Sequence, residues 1–145
     1  MAEQDPTRRD FKVFYPVTTR WMDNDLYGHV NNVTYYAYFD SAINTFLIAE
    51  GGLNIHQDDV VGFVASSACT YRKPVAFPQR IEAGLKVDRL GSRSVHYGVA
   101  IFAEGDEAPS AFGHVVHVFV SRRNNASTAI PDPIRTALAR IVAAS

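Results

Sequence analysis

The stretch that decides the fold is Arg20–Gly52, "RWMDNDLYGHVNNVTYYAYFDSAINTFLIAEGG". Its first part, Arg20–Asn32, is rich in polar side chains that form hydrogen bonds. Its second part has apolar residues at helical spacing, namely Tyr36, Phe39, Ile43, Phe46 and Leu47. This pattern predicts a helix from Val33 to Glu50. Tyr35, Tyr38 and Ala42 widen the apolar stripe, so we expect the helix to be buried over most of its circumference.

Both ends of this helix carry sequence signals for a helix terminus. Either Asn31 or Asn32 can cap its N-terminus, because a short polar side chain accepts a hydrogen bond from the first unpaired backbone amides. Gly51 and Gly52 are typical of a C-terminus. A polar loop therefore comes directly before a buried helix, and the side chains of that loop are the first candidates for a functional site.

The remainder of the chain shows the two-residue period of β-strands. Before the helix, Phe11–Thr19 is dense in β-branched and aromatic residues, and Pro16 favours an edge position. After it come four strand candidates separated by turn signals: Val60–Arg72, Gln79–Leu90, Ser92–Glu104 and Ser110–Arg122. A short closing helix has Asp132 as cap candidate and Pro133 at its first helical position. This order predicts an α+β fold, with a five-stranded antiparallel sheet wrapped around one long central helix.

The composition is that of one globular domain and excludes several functional classes. The chain has 145 residues, of which 47% are hydrophobic and 20% charged. We expect residues 1–10 to be a flexible N-terminal tail and 11–145 a single domain. A net charge of −1 argues against a nucleic-acid partner. No apolar run approaches the roughly 18–20 residues of a membrane span, and the N-terminus lacks a signal-peptide core. The expectation is a cytoplasmic protein without a membrane partner.

The polar loop does not have the ligand pattern of a metal site. "DNDLYG" begins like a calcium loop, with Asp23, Asp25 and Gly28 at the required positions. Tyr27 and Thr34 then stand where oxygen ligands are needed, and a bidentate glutamate is absent. A zinc site needs three or four ligands, but the histidines are scattered over strand candidates and Cys69 is the sole cysteine. We predict no metal and no cofactor.

Several of these residues together match a family signature. Asp25, Gly28, the run His29–Asn32, Tyr35 and Phe39 stand in an order that resembles the hotdog-fold acyl-CoA thioesterases, in particular the 4-hydroxybenzoyl-CoA thioesterase-like family. "TYRKPV" after the second strand and the closing "IPDPIR" also fit, so the likeness covers nearly the whole chain. It implies a hotdog domain that hydrolyses an acyl-CoA thioester to a carboxylic acid and CoA. One departure is Ile43, which stands where many members carry an arginine that would pair with Asp40.

The resemblance implies specific roles for the loop residues. Asp25 would be the nucleophile or the general base. The backbone amide of Asn32, or failing that of Val33, would stabilise the oxyanion, because amides of the first helical turn lack intrahelical partners. His29 either assists Asp25 and the leaving thiolate or steadies the loop, and both alternatives stay open. Gly28 would let the backbone turn and approach the substrate closely.

Three further expectations concern the loop, the substrate and the partners. Asp23 is expected to be structural, paired with Arg20. For substrate binding we expect Tyr35 to shape the acyl pocket and Arg72 and Arg93 to meet the CoA phosphates. Family resemblance also implies a homodimer or homotetramer with the active site between subunits.

Two alternative functions are compatible with the same cleft or fold. The first is a non-catalytic protein that binds acyl-CoA or an acyl-carrier-protein thioester. The second is a hotdog-fold hydratase, whose signature has a proline and a histidine five residues after the aspartate. Here Asp25 and His29 are separated by four positions and no proline lies between them. The sequence therefore favours a thioesterase over a hydratase.

Overall fold

In the computed structural model, which describes residues 4–143, five antiparallel strands form one sheet around a long helix. The elements in chain order are β1 (Val13–Val17), α1 (Thr34–Ala49), β2 (Val60–Tyr71), β3 (Ile81–Leu90), β4 (Ser94–Ala103), β5 (Ala111–Ser121) and α2 (Asp132–Ala139). The strands lie side by side in the order β1-β3-β4-β5-β2. The predicted α+β architecture is confirmed. Within the described residues, neither helix is long and apolar enough to cross a membrane.

Helix α1 is buried on the side that faces the sheet, and thus over less of its circumference than predicted. Seven of its side chains are buried: Tyr35, Tyr38, Phe39, Ala42, Ile43, Phe46 and Leu47. They pack with inward-facing strand residues such as Leu85, Val99 and Phe119. Fully burying one large aliphatic or aromatic side chain contributes about 1.5–3 kcal/mol, so this layer dominates the stability of the fold. Tyr36 departs from the predicted stripe because it lies at the margin of the buried face and stays 37% exposed.

Two polar atoms lie inside this core without a hydrogen-bond partner among residues 4–143. They are the hydroxyl of Tyr97 and Nδ1 of His117. Their rings pack edge to face, with centroids 5.1 Å apart. Burial lowers the pKa of His117 to about 4, although the carboxylate of Asp40 acts in the opposite direction. His117 is therefore a neutral side chain of the core at ordinary pH.

The two outer strands of the sheet differ in length and exposure. Strand β1 has five residues and, as predicted, carries Pro16 at an edge of the sheet, opposite Glu82 of β3. Strand β2 has twelve residues and pairs only with β5 among the described strands. Its side chains are largely exposed, including Phe63 at 62%. A long edge without a partner strand in the described chain is a surface for pairing with another chain.

Residues 4–10 contact the sheet at several points, while residues 1–3 lie outside the described part. The Arg72 guanidinium donates two hydrogen bonds to Asp5, at 2.6 and 2.9 Å. A short 3₁₀ turn follows at Arg8–Asp10, and the Arg8 side chain lies 2.7 Å from Glu82. These ion pairs, together with Phe11 packed against Phe102, hold the segment on the outer face of the sheet.

Candidate functional site

The polar loop before α1 forms a small hairpin. Asn24 and Val30 are paired in an antiparallel bridge. Beyond it, the Asp25 amide donates to the His29 carbonyl at 2.9 Å, and the Gly28 amide donates to the Asp25 carbonyl at 3.0 Å. Gly28 has φ +84°, a left-handed conformation that side chains disfavour. The glycine is thus required by the turn that closes the hairpin.

One oxygen of the Asp25 carboxylate is held and the other is free. Oδ1 accepts a hydrogen bond from the Tyr27 amide at 2.9 Å, as in an Asx turn. Oδ2 has no hydrogen-bond partner among residues 4–143. The side chain is half-buried. This arrangement steadies the turn and also fixes the plane of the carboxylate, which leaves one oxygen available for chemistry.

The hairpin is fastened to the segment that connects β2 and β3. The Val30 amide donates to the Val75 carbonyl at 2.8 Å. The Phe77 amide donates to the side-chain oxygen of Asn24 at 3.0 Å. These contacts join residues that are 45 and 53 positions apart in sequence. The loop is therefore positioned by the sheet as well as by the helix that follows it.

Asp23 has the structural role that the sequence suggested. Its side chain is only 3% exposed, and its carboxylate accepts hydrogen bonds from the Arg20 amide and guanidinium and from the Tyr38 hydroxyl. Burial raises the pKa of Asp23. The hydrogen bond from Tyr38 and the contacts with Arg20 outweigh this effect, so the net pKa lies below its ordinary value. Asp23 is a charged anchor beneath the loop.

Two backbone amides at the start of α1 are paired with Asn31. The Asn31 side-chain oxygen accepts from the Val33 amide at 2.9 Å, and the Asn31 carbonyl accepts from the Thr34 amide at 2.9 Å. Asn31, rather than Asn32, thus supplies the side-chain acceptor immediately before α1, and the N-cap residue of the helix, Val33, has no side-chain cap of its own. The Asn32 amide has no acceptor within residues 4–143. Of the two amides considered for an oxyanion site, Val33 is occupied and Asn32 is free.

A cavity of about 270 Å³ opens beside this free amide. Its lining consists of Val30, Asn32, Tyr35, Tyr71, Arg72, Lys73 and Pro74. The structure therefore brings together three of the predicted site residues, Asn32, Tyr35 and Arg72. It also adds Tyr71, which the sequence analysis did not single out. The Tyr71 hydroxyl donates to the Asn32 carbonyl at 2.8 Å, a contact across 39 positions that no local pattern reveals.

The other predicted residues do not line this cavity. Asp25, Gly28 and His29 are at the hairpin tip, and the His29 side chain is exposed. Arg93 lies in the turn between β3 and β4, where its guanidinium donates to the carbonyl and hydroxyl of Ser127. The charge of Arg72 is paired with Asp5. No cluster of three potential metal ligands occurs in the part of the chain that the structure describes.

Solved structures share this architecture over nearly the whole chain. The PA5185 protein of Pseudomonas aeruginosa strain PAO1 is 54% identical, with a TM-score of 0.96 over 98% of this chain and 99% of that one. PA2801, also from P. aeruginosa and proposed to be a thioesterase, is 32% identical, with a TM-score of 0.81 over 86% and 96% of the two chains.

More distant proteins share the fold as well. BH1999, a gentisyl-coenzyme A thioesterase, is 22% identical, with a TM-score of 0.77 over 87% of this chain and 99% of that one, a likeness of fold. Residues 17–138 match the sequence profile of the thioesterase-like superfamily. The hotdog fold implied by the signature around Asp25 is confirmed, and the chain belongs to the thioesterase-like superfamily.

Proposed function

We propose that this protein is an acyl-CoA thioesterase, which uses water to convert a thioester into a carboxylic acid and free CoA. The observation that carries the proposal is the unpaired amide of Asn32. It lies at the start of a buried helix and beside a cavity lined by Tyr35 and Arg72. An unpaired amide at a helix N-terminus is suited to a developing negative charge. Membership of the thioesterase-like superfamily supports the same reaction.

In the proposed reaction the thioester carbonyl oxygen accepts a hydrogen bond from the Asn32 amide. The free oxygen of Asp25 then either removes a proton from the water that attacks the carbonyl carbon, or attacks that carbon itself and forms a mixed anhydride, which water hydrolyses after the thiolate has left. The carbon–sulfur bond breaks, and the thiolate of CoA leaves and takes up a proton. His29, four residues after Asp25, is the candidate donor of that proton. A preorganised donor for the oxyanion typically contributes about 2.7–4 kcal/mol to transition-state stabilisation.

Substrate contacts are proposed at the rim and wall of the cavity. Tyr35 supplies an apolar, aromatic wall for the acyl group. Arg72 and Lys73 place two cations at the rim, where CoA phosphates would pass, and Arg93 is a further candidate for a phosphate contact. In the free protein Arg72 is paired with Asp5 and Lys73 with Asp106. When CoA binds, its phosphates would therefore replace the carboxylates of Asp5 and Asp106 as the partners of Arg72 and Lys73.

We also propose that the active unit is a homo-oligomer, a dimer or a tetramer. A cavity of about 270 Å³ is smaller than typical ligand pockets of about 300–1,000 Å³, so a single chain holds only part of an acyl-CoA. Strand β2 offers an unpaired edge with Phe63 exposed. Trp21, Leu26 and Tyr27 of the loop are also largely exposed, at 79%, 104% and 88%. Exposed apolar patches of this kind mark interaction surfaces.

The proposal is tested by initial rates on aromatic, short-, medium- and long-chain acyl-CoAs, with gentisyl-CoA among the aromatic substrates. Asp25→Asn keeps the acceptor for the Tyr27 amide but removes the charge. We expect it to lower kcat by about 10²–10⁴-fold, the usual contribution of a general base. Asp132→Asn, at the start of α2, is the matched control and should keep full activity.

Two results would contradict the proposal at different levels. Undiminished turnover by Asp25→Asn would remove Asp25 from the mechanism and leave the activity in place. Tight binding of acyl-CoA or acyl-carrier-protein thioesters without hydrolysis of any substrate would show a binding protein instead of an enzyme. Product analysis by free-thiol release distinguishes these outcomes directly.

A further inference from the structure

The peptide that joins Asn32 to Val33 is held at both of its ends. Its carbonyl oxygen accepts a hydrogen bond from the Tyr71 hydroxyl at 2.8 Å. Its N–H donates to the side-chain oxygen of Asn31 at 2.9 Å. A peptide unit is planar, so two hydrogen bonds on opposite sides fix its orientation. The chain at the start of α1 is thus prevented from rotating about this unit.

Fixing this peptide also determines where the neighbouring amide points. The Asn32 N–H belongs to the preceding peptide, and its direction depends on the backbone angles of Asn32. Those angles are constrained on one side by the fixed peptide. On the other side, the Asn31 amide donates to the Asp23 carbonyl at 3.0 Å. The Asn32 amide, which has no acceptor within residues 4–143, is therefore flanked by anchored peptides.

Tyr71 is itself well placed to act as an anchor. It is the last residue of β2, where it is paired with Ala111 of β5. Its ring packs edge to face on Tyr35, with centroids 5.2 Å apart and an interplanar angle of 83°. Although the side chain is 40% exposed, desolvation and the nearby Cys69 thiol raise the pKa of Tyr71 above its ordinary value. The phenol stays protonated and remains a donor.

We propose that Tyr71 is a positioning residue, which holds the Asn32 amide in the direction of the thioester carbonyl. It does so through the Asn32 carbonyl, and it donates no hydrogen bond to the substrate. Asn31 serves the same purpose from the other side of the peptide. The inference rests on the proposed thioesterase function, and it extends that function to a strand residue outside the loop.

The test is Tyr71→Phe, which removes the hydroxyl and keeps the aromatic contact with Tyr35. We expect kcat to fall about 10–100-fold, because small misplacements of a catalytic group are costly. KM, and the Kd of a non-hydrolysable thioether analogue of the substrate, should change less than about twofold, since positioning acts mainly in the transition state. Tyr15→Phe, which removes a phenol from β1, is the matched control and should retain wild-type kinetics.

Amide hydrogen exchange of the free protein gives a readout that does not depend on activity. In Tyr71→Phe the Val33 amide should exchange faster than in the wild type, while amides in the middle of α1 keep their rates. Asn31→Ala should reproduce both the kinetic and the exchange effects. Asn31→Ser, which retains an oxygen acceptor at this position, should restore most of the loss.

Each contrary result has a distinct meaning. Wild-type kcat and wild-type Val33 exchange in Tyr71→Phe would overturn the positioning role and leave the thioesterase proposal standing. A kcat loss accompanied by an equal loss of analogue affinity would assign Tyr71 to the shape of the cavity and also overturn it. Absence of thioester hydrolysis by the wild-type protein would overturn the proposed function and this inference with it.

Discussion

The hydroxyl of Tyr38 donates a hydrogen bond to the buried carboxylate of Asp23 at 2.8 Å and so joins helix α1 to the loop that precedes it. The partners are 15 residues apart, and both are buried. The other hydrogen bonds to this carboxylate come from Arg20, whose side chain is largely exposed. Among the described residues, Tyr38 is therefore the only core side chain that donates a hydrogen bond to this carboxylate.

Loss of the Tyr38 hydroxyl should destabilise the protein. Tyr38→Phe leaves a buried carboxylate with one hydrogen bond fewer, and a bond to a charged group contributes about 1.5–3 kcal/mol. We expect the free energy of unfolding in urea to fall by that amount. Tyr27→Phe is the control. Because Tyr27 is 88% exposed, removal of its hydroxyl should lower the free energy of unfolding by less than about 0.5 kcal/mol. Equal stabilities of both variants would contradict this role of Asp23.

Gly28 should tolerate asparagine better than alanine. A Cβ at this position meets no atom within 4 Å, so space is not limiting. The positive φ of 84° is limiting, because a left-handed conformation costs an L-residue about 1–2 kcal/mol. Asparagine adopts this region more readily than alanine. Urea unfolding should rank the wild type first, Gly28→Asn second and Gly28→Ala last. The same stability for both variants would show that the backbone conformation is not the cause.

The stability of the protein should fall as the pH is lowered from about 6.5 to about 4. In this window the unfolded chain protonates its histidines, whereas His117 stays neutral in the core because its pKa is lowered to about 4. The unfolded state then binds more protons, so acid favours unfolding. A pKa that is lowered from 6.5 to about 4 corresponds to a loss of roughly 3 kcal/mol in the free energy of unfolding once His117 is protonated in both states.

This pH dependence can be assigned to His117 by substitution. His117→Leu removes the titrating group, and the slope of unfolding free energy against pH between 4 and 6.5 should become much flatter. His56→Leu, at an exposed position in the loop after α1, is the control and should keep the slope of the wild type. A wild-type slope in His117→Leu would place the proton uptake elsewhere.

A charge on the exposed edge strand should weaken self-association. Phe63→Glu puts a carboxylate at a β2 position that is 62% exposed in the single chain, and burial of an unpaired charge in an interface is costly. Sedimentation velocity should show the wild type as a dimer or tetramer and the variant shifted toward the monomer. Val142→Glu, beside β3 on the other half of the sheet, should leave the oligomer intact. An unaltered oligomer in Phe63→Glu would exclude β2 from the interface.

The fold was predictable because its signals are local and periodic. The apolar spacing of Phe39, Ile43 and Phe46 indicates a helix whatever the surroundings, and the strands alternate cleanly. The predicted strands were longer than the observed ones by one to four residues, since alternation continues into the turns. The anchoring of residues 4–10 was not predictable, because the pairing of Asp5 with Arg72 joins positions 67 apart.

The site was predictable to the extent that the loop alone determines it. The turn at Gly28 and the structural role of Asp23 follow from residue types over a few positions. An asparagine acceptor before the helix also follows from them, although the choice of Asn31 over Asn32 does not. The role of Tyr71 was not predictable, because the position of β2 determines where its hydroxyl lies. A tyrosine at the end of a strand also has no distinctive sequence pattern. Catalysis by Asp25 and His29 stays a prediction that the kinetic experiments above address.

The attachment of the hairpin to the β2–β3 connection has a consequence for protein engineering. The Val30 amide donates to the Val75 carbonyl, and the Phe77 amide donates to the side-chain oxygen of Asn24, so the two segments form one transplantable module. A chimera that imports residues 20–32 from a relative should also import residues 74–77. Otherwise the grafted loop loses the hydrogen bonds that position it. By contrast, the outward side chains of Leu26 and Tyr27 make no such attachment among the described residues, so changes at these two positions leave the attachment of the loop intact.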